Sequence, residues 1–305
     1  MDTVLAVERA TKRYDGVRAL DGVSLSVRSG EVFSLIGPNG AGKTTLVRAL
    51  TGTTDLDSGG ISVLGEHPRG TDRSRIGLLP QEFSPPARLT GRELVRYYAG
   101  LYDEARPVEE VLNEVGMVHD ADRWYERLSG GQRRRLCVAS ALVNDPDVLF
   151  LDEPTTAIDP AGKRDLWRLL EGLAADGTTV FLTTHDMAEA ERLSDRVGLL
   201  AEGDLVEVGA PSELIAEHGG ENRLVVETTD GDPDTLAARG YRVSREGRTL
   251  TVHGIDTRDI GPAVDALDAA GIGYESLTWT QPTLEDVYIE LTGERFERPV
   301  VEADA

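Results

Sequence analysis

At 305 residues and 40% hydrophobic content, the chain is long enough for two domains, or one large one, with real cores. No apolar run approaches the roughly 18 residues of a membrane-spanning helix, and the start, Met1-Asp2-Thr3-Val4, has neither the basic region nor the apolar block of a signal peptide, so an intracellular protein is expected. The formal net charge of −22 disfavours general nucleic-acid binding, which needs a basic face.

Lysine occurs only at Lys12, Lys43 and Lys163, so the basic residues are nearly all arginine. An acidic, lysine-poor surface suits a cytoplasm at high salt, where a Debye length of about 3 Å at 1 M screens self-repulsion. The single cysteine, Cys137, excludes an internal disulfide and, in the apolar run Leu136–Val143, reads as a buried thiol.

Residues 3–35 alternate short apolar segments (Val4–Val7, Val23–Val27, Val32–Ile36) with turns at Asp15-Gly16 and Ser29-Gly30, a pattern of several strands. Tyr14, near the first turn, could stack on a purine ring or be a half-buried core tyrosine. The third strand runs into Gly37-Pro38-Asn39-Gly40-Ala41-Gly42-Lys43-Thr44, which fits the G-x-x-x-x-G-K-[ST] phosphate-binding loop without a mismatch. Thr45–Leu50 then reads as helix. Strand, glycine loop and helix together aim consecutive backbone N–H groups and a helix N-terminus at one anion. Lys43 would reach the β- and γ-phosphates, and the Thr44 hydroxyl would face Mg²⁺.

A loop at Thr53–Gly60 leads to strands at Ile61–Leu64 and Ile76–Leu79, the second ending at Pro80-Gln81. Gln81 offers a neutral carbonyl just off a strand end, where a metal or a water could be held. From about 82 to 142 the spacing turns helical. Thr90 caps Arg92–Tyr102 and Pro107 opens Val108–Val115, so an all-helical insert is expected. It closes on Leu128-Ser129-Gly130-Gly131-Gln132, with Ser129 a good N-cap and glycines that expose amide groups at a helix start. This second anion site makes more sense if it serves a nucleotide held by another copy. The run Arg133–Arg135 reads as a solvated helix face.

Asp147–Leu151 is an apolar strand without alternation, buried on both faces as in parallel sheets, and it ends on Asp152-Glu153. Carboxylates at that end lie where open α/β sheets place ligands. Asp152 can hold Mg²⁺ through water, and Glu153 can take a proton from an attacking water. Thr178–Thr184 is another buried strand and ends at His185, poised to donate to a γ-phosphate. Two short strands, Arg196–Leu200 and Asp204–Val208, and a helix at Ala210–His218 close this domain.

Gly219–Asn222 marks the expected boundary between a domain of residues 1–220 and one of 221–305. Strand, helix, strand, strand, helix, strand over 223–280, then a helix at Thr283–Leu291, suggest a small ferredoxin-like α+β appendage without a catalytic constellation.

With these motifs in place, residues 3–215 resemble the ATP-binding subunit of an ABC transporter, an α/β P-loop NTPase with a parallel core sheet, an antiparallel β subdomain and a helical insert. On that resemblance Tyr14 is the adenine-stacking aromatic, residues 37–44 with Thr45 bind the phosphates, and Gln81 is the Q-loop glutamine. Leu128–Gln132 matches the family's diagnostic pentapeptide, Glu153 its catalytic glutamate and His185 its switch histidine. Ala157-Ile158-Asp159 departs slightly from the usual Gly-Leu-Asp of the D-loop, while keeping the Asp159 implied in dimer communication. The tail Gln281–Gly293 is similar to the ending of ATPases that drive drug and antibiotic efflux. The resemblance implies ATP and Mg²⁺, two copies closed head to tail, a separate membrane-spanning permease, and a place at the cytoplasmic membrane face. Apolar residues of the insert, Phe83, Leu89, Tyr97 and Tyr98, are candidates for the permease groove. The alternative is a soluble ABC ATPase that clamps nucleic acid or ribosomes. Such proteins usually carry two ATP-binding domains in one chain, or a coiled-coil insertion, and basic surfaces, whereas this sequence has one such domain, no long heptad stretch and a strong negative charge.

Overall fold

A computed structural model describes residues 2–228 and 232–293. These divide into two compact units, the first running to Pro211 and the second beginning at Ser212.

The first unit is organised by three short strands of unbroken apolar character. β3 (Val32–Ile36), β6 (Val148–Asp152) and β7 (Thr179–Thr184) are buried along their whole length. Residues buried on both faces require a sheet covered on both sides, which is the setting of parallel strands. A six-stranded sheet results, in the order β5-β6-β7-β3-β8-β9, with β5 (Ile76–Leu79) at one edge. β8 (Arg196–Ala201) is parallel to β3, and β9 (Asp204–Gly209) returns antiparallel to it across a tight turn. Register is pinned by aromatic packing. Phe181 pairs with both Phe33 and Phe150, its ring centroid 5.7 Å and 5.8 Å from theirs. Such cross-strand aromatic pairs resist a one-residue slip, which would turn every side chain to the other face.

That register has a functional result. Ile36 lies beside Thr184, and Asp152 beside Thr183. The loop after β3, the acids at the end of β6 and the histidine after β7 therefore emerge at one carboxyl edge.

On one side of the sheet sits a three-stranded antiparallel layer, β2-β1-β4, formed by β1 (Thr3–Tyr14), β2 (Val17–Arg28) and β4 (Ser58–Val63). Its inward residues, among them Leu5, Val7, Leu20 and Val27, share a core with Phe33, Phe150, Phe181 and helix α1 (Lys43–Leu50). A second core joins Leu149, Leu151 and Leu182 to the expected insert. The insert holds α2 (Gly91–Ala99), with a capping box between Thr90 and Glu93, then α3 (Val108–Glu114) and two 3-10 turns, before α4 (Gly130–Leu142). Cys137 is buried on α4. Two helices were not singled out above, α5 (Pro160–Ala175) and α6 (Met187–Leu193), each N-capped by an aspartate, Asp159 and Asp186.

The apolar candidates of the insert, some of which were expected to be internal core, divide into two groups. Phe83, Leu89 and Tyr98 are half-buried against its core, and the Phe83 and Tyr98 rings pack together 5.7 Å apart. Tyr97 remains 61% exposed and is joined by Leu101 at 62%.

The second unit takes in α7 (Pro211–His218), ahead of the glycine pair expected to mark the boundary. A Cβ on Gly219 would lie 2.8 Å from Pro282, so the end of this helix is seated on its own unit. Then follow β10 (Arg223–Glu227), α8 (Pro233–Ala237), β11 (Arg242–Glu246), β12 (Thr249–His253), α9 (Ile260–Ala269), β13 (Ser276–Thr280) and α10 (Leu284–Thr292). The strands form an antiparallel sheet in the order β11-β12-β10-β13. Leu224, Val226, Leu250 and Val252 point from its one face into a core with Leu236 and Leu267 of the helices. The parts of this unit expected at 229–231 and 294–305 lie outside the described residues. No helix among the described residues is long and apolar enough to cross a membrane.

Every residue of the nucleotide site singled out above precedes Pro211, so a chain ending there is predicted to bind ATP with an affinity within about twofold of the full chain's, as expected of an independent compact unit. Isothermal titration on both chains checks this. Loss of binding in a shortened chain that keeps its circular dichroism spectrum would contradict it.

Candidate functional site

The loop after β3 is shaped by the absence of side chains. Gly42 has φ +109°, and a Cβ there would fall 2.1 Å from the Ala19 carbonyl oxygen of β2. Gly37 is equally tight, its would-be Cβ 2.3 Å from the Leu200 carbonyl. A left-handed residue pressed against a neighbouring backbone must be glycine. α1 begins directly at Lys43, without a side-chain N-cap, so its first amide groups open onto the loop. Pro38, Asn39, Gly40, Gly42, Lys43, Thr44 and Thr45 line one cleft together with Gln81, Glu153 and Ala19. Ala41 is buried beneath it.

Lys43 is 5% exposed. Its Nζ donates to the carbonyl oxygens of Gly37 at 2.6 Å and Pro38 at 3.1 Å, and stands 3.1 Å from Glu153 Oε1. Glu153 Oε2 lies 2.7 Å from His185 Nδ1 and accepts from the Thr156 hydroxyl at 3.3 Å. Lysine, carboxylate and imidazole thus form one chain. Burial pushes the Glu153 carboxyl up, but the His185 hydrogen bond and the Lys43 charge outweigh it and hold the group below the usual carboxylate range. The hydrogen bond to Glu153 raises His185, against the opposing effect of burial.

Beside this chain, the Thr44 hydroxyl donates to Asp152 Oδ1 at 3.3 Å, and the Thr183 hydroxyl donates to the same oxygen at 2.5 Å. Asp152 is 2% exposed. Thr44 and Asp152 are therefore adjacent hard oxygens, with the Gln81 side chain on the same cleft. That donor set fits Mg²⁺, which takes one or two carboxylates or hydroxyls beside phosphate and water.

Tyr14 is 42% exposed, with its hydroxyl 3.4 Å from Thr54 Oγ1 and Lys12 Nζ 5.3 Å from its ring centroid. One face of an accessible aromatic could still receive a base.

The Ser129–Gln132 segment opens α4. The Ser129 hydroxyl accepts from Gln132 N at 3.2 Å, Gln132 Oε1 accepts from Ser129 N at 3.0 Å, and Gln132 Nε2 donates to Asp120. Ser129 is exposed, and none of these four residues lines the Lys43 cleft. A Cβ on Gly131 would fall 2.6 Å from Gly162 Cα, so the two glycines let α4 and α5 touch. Asp159 caps α5, accepting from Ala161 N and Gly162 N. Lys163 of α5 pairs with Asp186, the neighbour of His185.

Two contributors were missed above. Thr183 binds Asp152 and also accepts from Glu153 N at 3.1 Å; a threonine ending an otherwise apolar buried strand was its signal. Arg134 does not lie on a solvated face, as the run Arg133–Arg135 suggested. It is turned inward and donates to the carbonyl oxygens of Asp152, Glu153 and Pro154. Only Arg133 of the three is exposed.

A phosphate loop, a buried carboxylate pair at the end of β6 and a histidine on the same edge define a P-loop ATPase site. Residues 20–156 match the family model described as ABC transporter. The chain is 38% identical to the daunorubicin resistance ATP-binding protein DrrA3 of Streptomyces coeruleorubidus over 99% of each chain. It is 39% identical to the Nod factor export ATP-binding protein I of Rhizobium sp. (strain N33), over 94% of this chain and 96% of that one. Among solved structures, an ATP-binding cassette of an ABC transporter in its ADP conformation superposes with a TM-score of 0.64 and 25% identity, over 72% of this chain and 95% of that one. A dimeric bacterial ABC transporter cassette gives a TM-score of 0.60 and 27% identity over 68% and 98%. The chain belongs to the ABC transporter family, as an ATP-binding, ATP-hydrolysing subunit of the branch whose named relatives serve drug resistance and export. These matches do not favour the nucleic-acid clamp.

The raised His185 contributes stability below its ordinary 6.5 and loses it as pH climbs through the raised value. The lowered Glu153 contributes above 4.5 and loses it as pH falls through the lowered value, so the pair is at full strength between these two limits. An NMR titration of His185 should give a midpoint above 6.5 in the wild type and a lower one in Glu153→Gln. An identical midpoint in both would contradict the pairing.

Proposed function

We propose that this subunit hydrolyses Mg-ATP in the Lys43 cleft and uses the closure of two copies to drive a separate membrane permease in export. The observation that carries the reading is the buried Lys43–Glu153–His185 chain on the same strand edge as Thr44 and Asp152.

Phosphoryl transfer asks a protein mainly for positioning and charge stabilisation. The amide groups of residues 39–44 would cradle the β-phosphate, and Tyr14 would stack on the adenine. Lys43 now neutralises Glu153, and a polyphosphate would draw its ammonium away. Glu153 would then be left as a strong acceptor for the proton of an attacking water, held in place by His185 and Thr156. Thr44, Asp152 and Gln81 would hold Mg²⁺, which supplies neutralisation of charge on the phosphate oxygens. Ser129, Gly130, Gly131 and Gln132 would meet the ATP of the opposite copy, which the exposure of Ser129 and the absence of all four from the lining of their own chain's cleft support. Asp159, which fixes the start of α5 beside Gly131, would carry the state of one site to the other.

The membrane partner would dock on the helical insert. Tyr97 and Leu101 are its most exposed large apolar residues, and Gln81 ties the start of the insert to the cleft. The relatives' names favour a small-molecule cargo moved outward, with the subunit held at the cytoplasmic membrane face by its permease.

Glu153→Gln is expected to keep ATP binding, lower turnover by roughly 10²–10⁴ as for loss of a general base, and accumulate a nucleotide-bound dimer. Lys43→Ala is expected to weaken ATP binding itself. Steady-state phosphate release, equilibrium binding and analytical ultracentrifugation separate these outcomes. Wild-type turnover in Glu153→Gln would overturn the assignment.

In membranes holding the cognate permease, Tyr97→Glu and Leu101→Glu should release the subunit while leaving soluble ATP binding intact. Equal membrane recovery of wild type and variants would remove the insert as the docking surface.

A further inference from the structure

Glu153 stands in an unusual backbone state. Its φ is +50°, a left-handed value that a residue with a side chain adopts only where its surroundings impose it. Two sets of bonds impose it here. From β7, the Thr183 carbonyl and hydroxyl oxygens both accept from Glu153 N–H at 3.1 Å. From α4, the Arg134 guanidinium spans three successive carbonyls. Nε donates to Pro154 O at 2.6 Å, and Nη2 donates to Glu153 O at 2.9 Å and to Asp152 O at 3.1 Å. A lysine, whose ammonium is a point donor on a flexible stem, lacks the planar fork that fixes this geometry.

The helix that carries Arg134 also carries Ser129–Gln132 at its tip, capped by its own serine and seated on α5 through Gly131 and Gly162. The tip of α4 therefore cannot shift or turn without either breaking the Arg134 bonds or taking the backbone of residues 152–154 with it. Thr183 holds the same segment from the sheet side, so the segment is fixed between one rigid and one helix-borne anchor.

We propose that Arg134 is a positioning residue, which sets the backbone of Glu153 and transmits the placement of the Ser129–Gln132 end of α4 to the general base of its own chain. This inference rests on the reading of Glu153 as that base. Contact of the α4 tip with the nucleotide of a second copy would thereby be felt at both hydrolytic centres, through the opposite phosphates and through the carboxylate behind each tip.

The test is the kinetics of full-length Arg134→Ala and Arg134→Lys, alone and combined with Glu153→Gln. Arg134→Ala is expected to lower kcat roughly 10–100-fold, the scale of a small misplacement of a catalytic group, with KM and the ATP Kd within about twofold of wild type. Arg134→Lys should fall between, and added guanidinium should restore part of the turnover of Arg134→Ala. Because Arg134 acts through Glu153, the double variant Arg134→Ala/Glu153→Gln should be no slower than Glu153→Gln alone. Wild-type kcat in folded Arg134→Ala overturns the proposal, as does a loss confined to ATP binding or a double variant slowed by the product of the two single effects. If Arg134→Ala does not fold by circular dichroism, the same criteria are read on Arg134→Lys, where unaltered kcat is the overturning result. Failure of the underlying reading is separable: Glu153→Gln would then turn over at the wild-type rate whatever the Arg134 variants do.

Discussion

Much of this structure follows from the need to keep one carboxylate ionised inside the protein. Glu153 is 5% exposed, and an unpaired charge at that depth would neutralise by taking up a proton. It stays ionised because Lys43 and His185 meet its two oxygens from opposite sides. Each partner comes from a different strand end, so the pairing exists only while β3, β6 and β7 keep their register. The packed Phe33, Phe181 and Phe150 rings hold that register from within the core. Packing below the sheet edge and charge above it are therefore one constraint.

The same arrangement links binding to chemistry. Lys43 pairs with a protein carboxylate and, on the proposed function, would also serve the polyphosphate. The attraction between charges this deep is stronger than on the surface, desolvation offsets much of it, and removing one partner leaves the other charge unpaired at high cost. Moving the ammonium from one anion to the other would change the basicity of Glu153 at the moment substrate arrives.

The motifs that name atoms to bind were legible in the sequence. The phosphate loop, Asp152-Glu153, His185 and Ser129–Gln132 each follow an apolar strand or open a helix, and local chemistry decides their shape. The parallel strands were legible for the same reason, being apolar without alternation. What escaped was set by tertiary context. Arg134 sits between two other arginines, and only the approach of residues 152–154 turns it inward. Phe83 and Tyr98 looked available because nothing in a linear sequence states that they cover each other. Helix α5 could have been read from Asp159, Pro160 and the spacing of Leu166, Leu169, Leu170 and Leu173. α7, a helix that reads equally well at the end of one domain or the start of the next, is assigned by its packing alone.

The most direct measurement of the central claim is the crystal structure of Glu153→Gln with Mg-ATP. The account predicts a triphosphate seated over residues 39–44, with Lys43 Nζ within hydrogen-bonding distance of its β- and γ-oxygens and withdrawn from residue 153, whose side chain faces the γ-phosphate. A triphosphate bound elsewhere, or a Lys43 that still holds the residue 153 side chain with nucleotide in place, would contradict it.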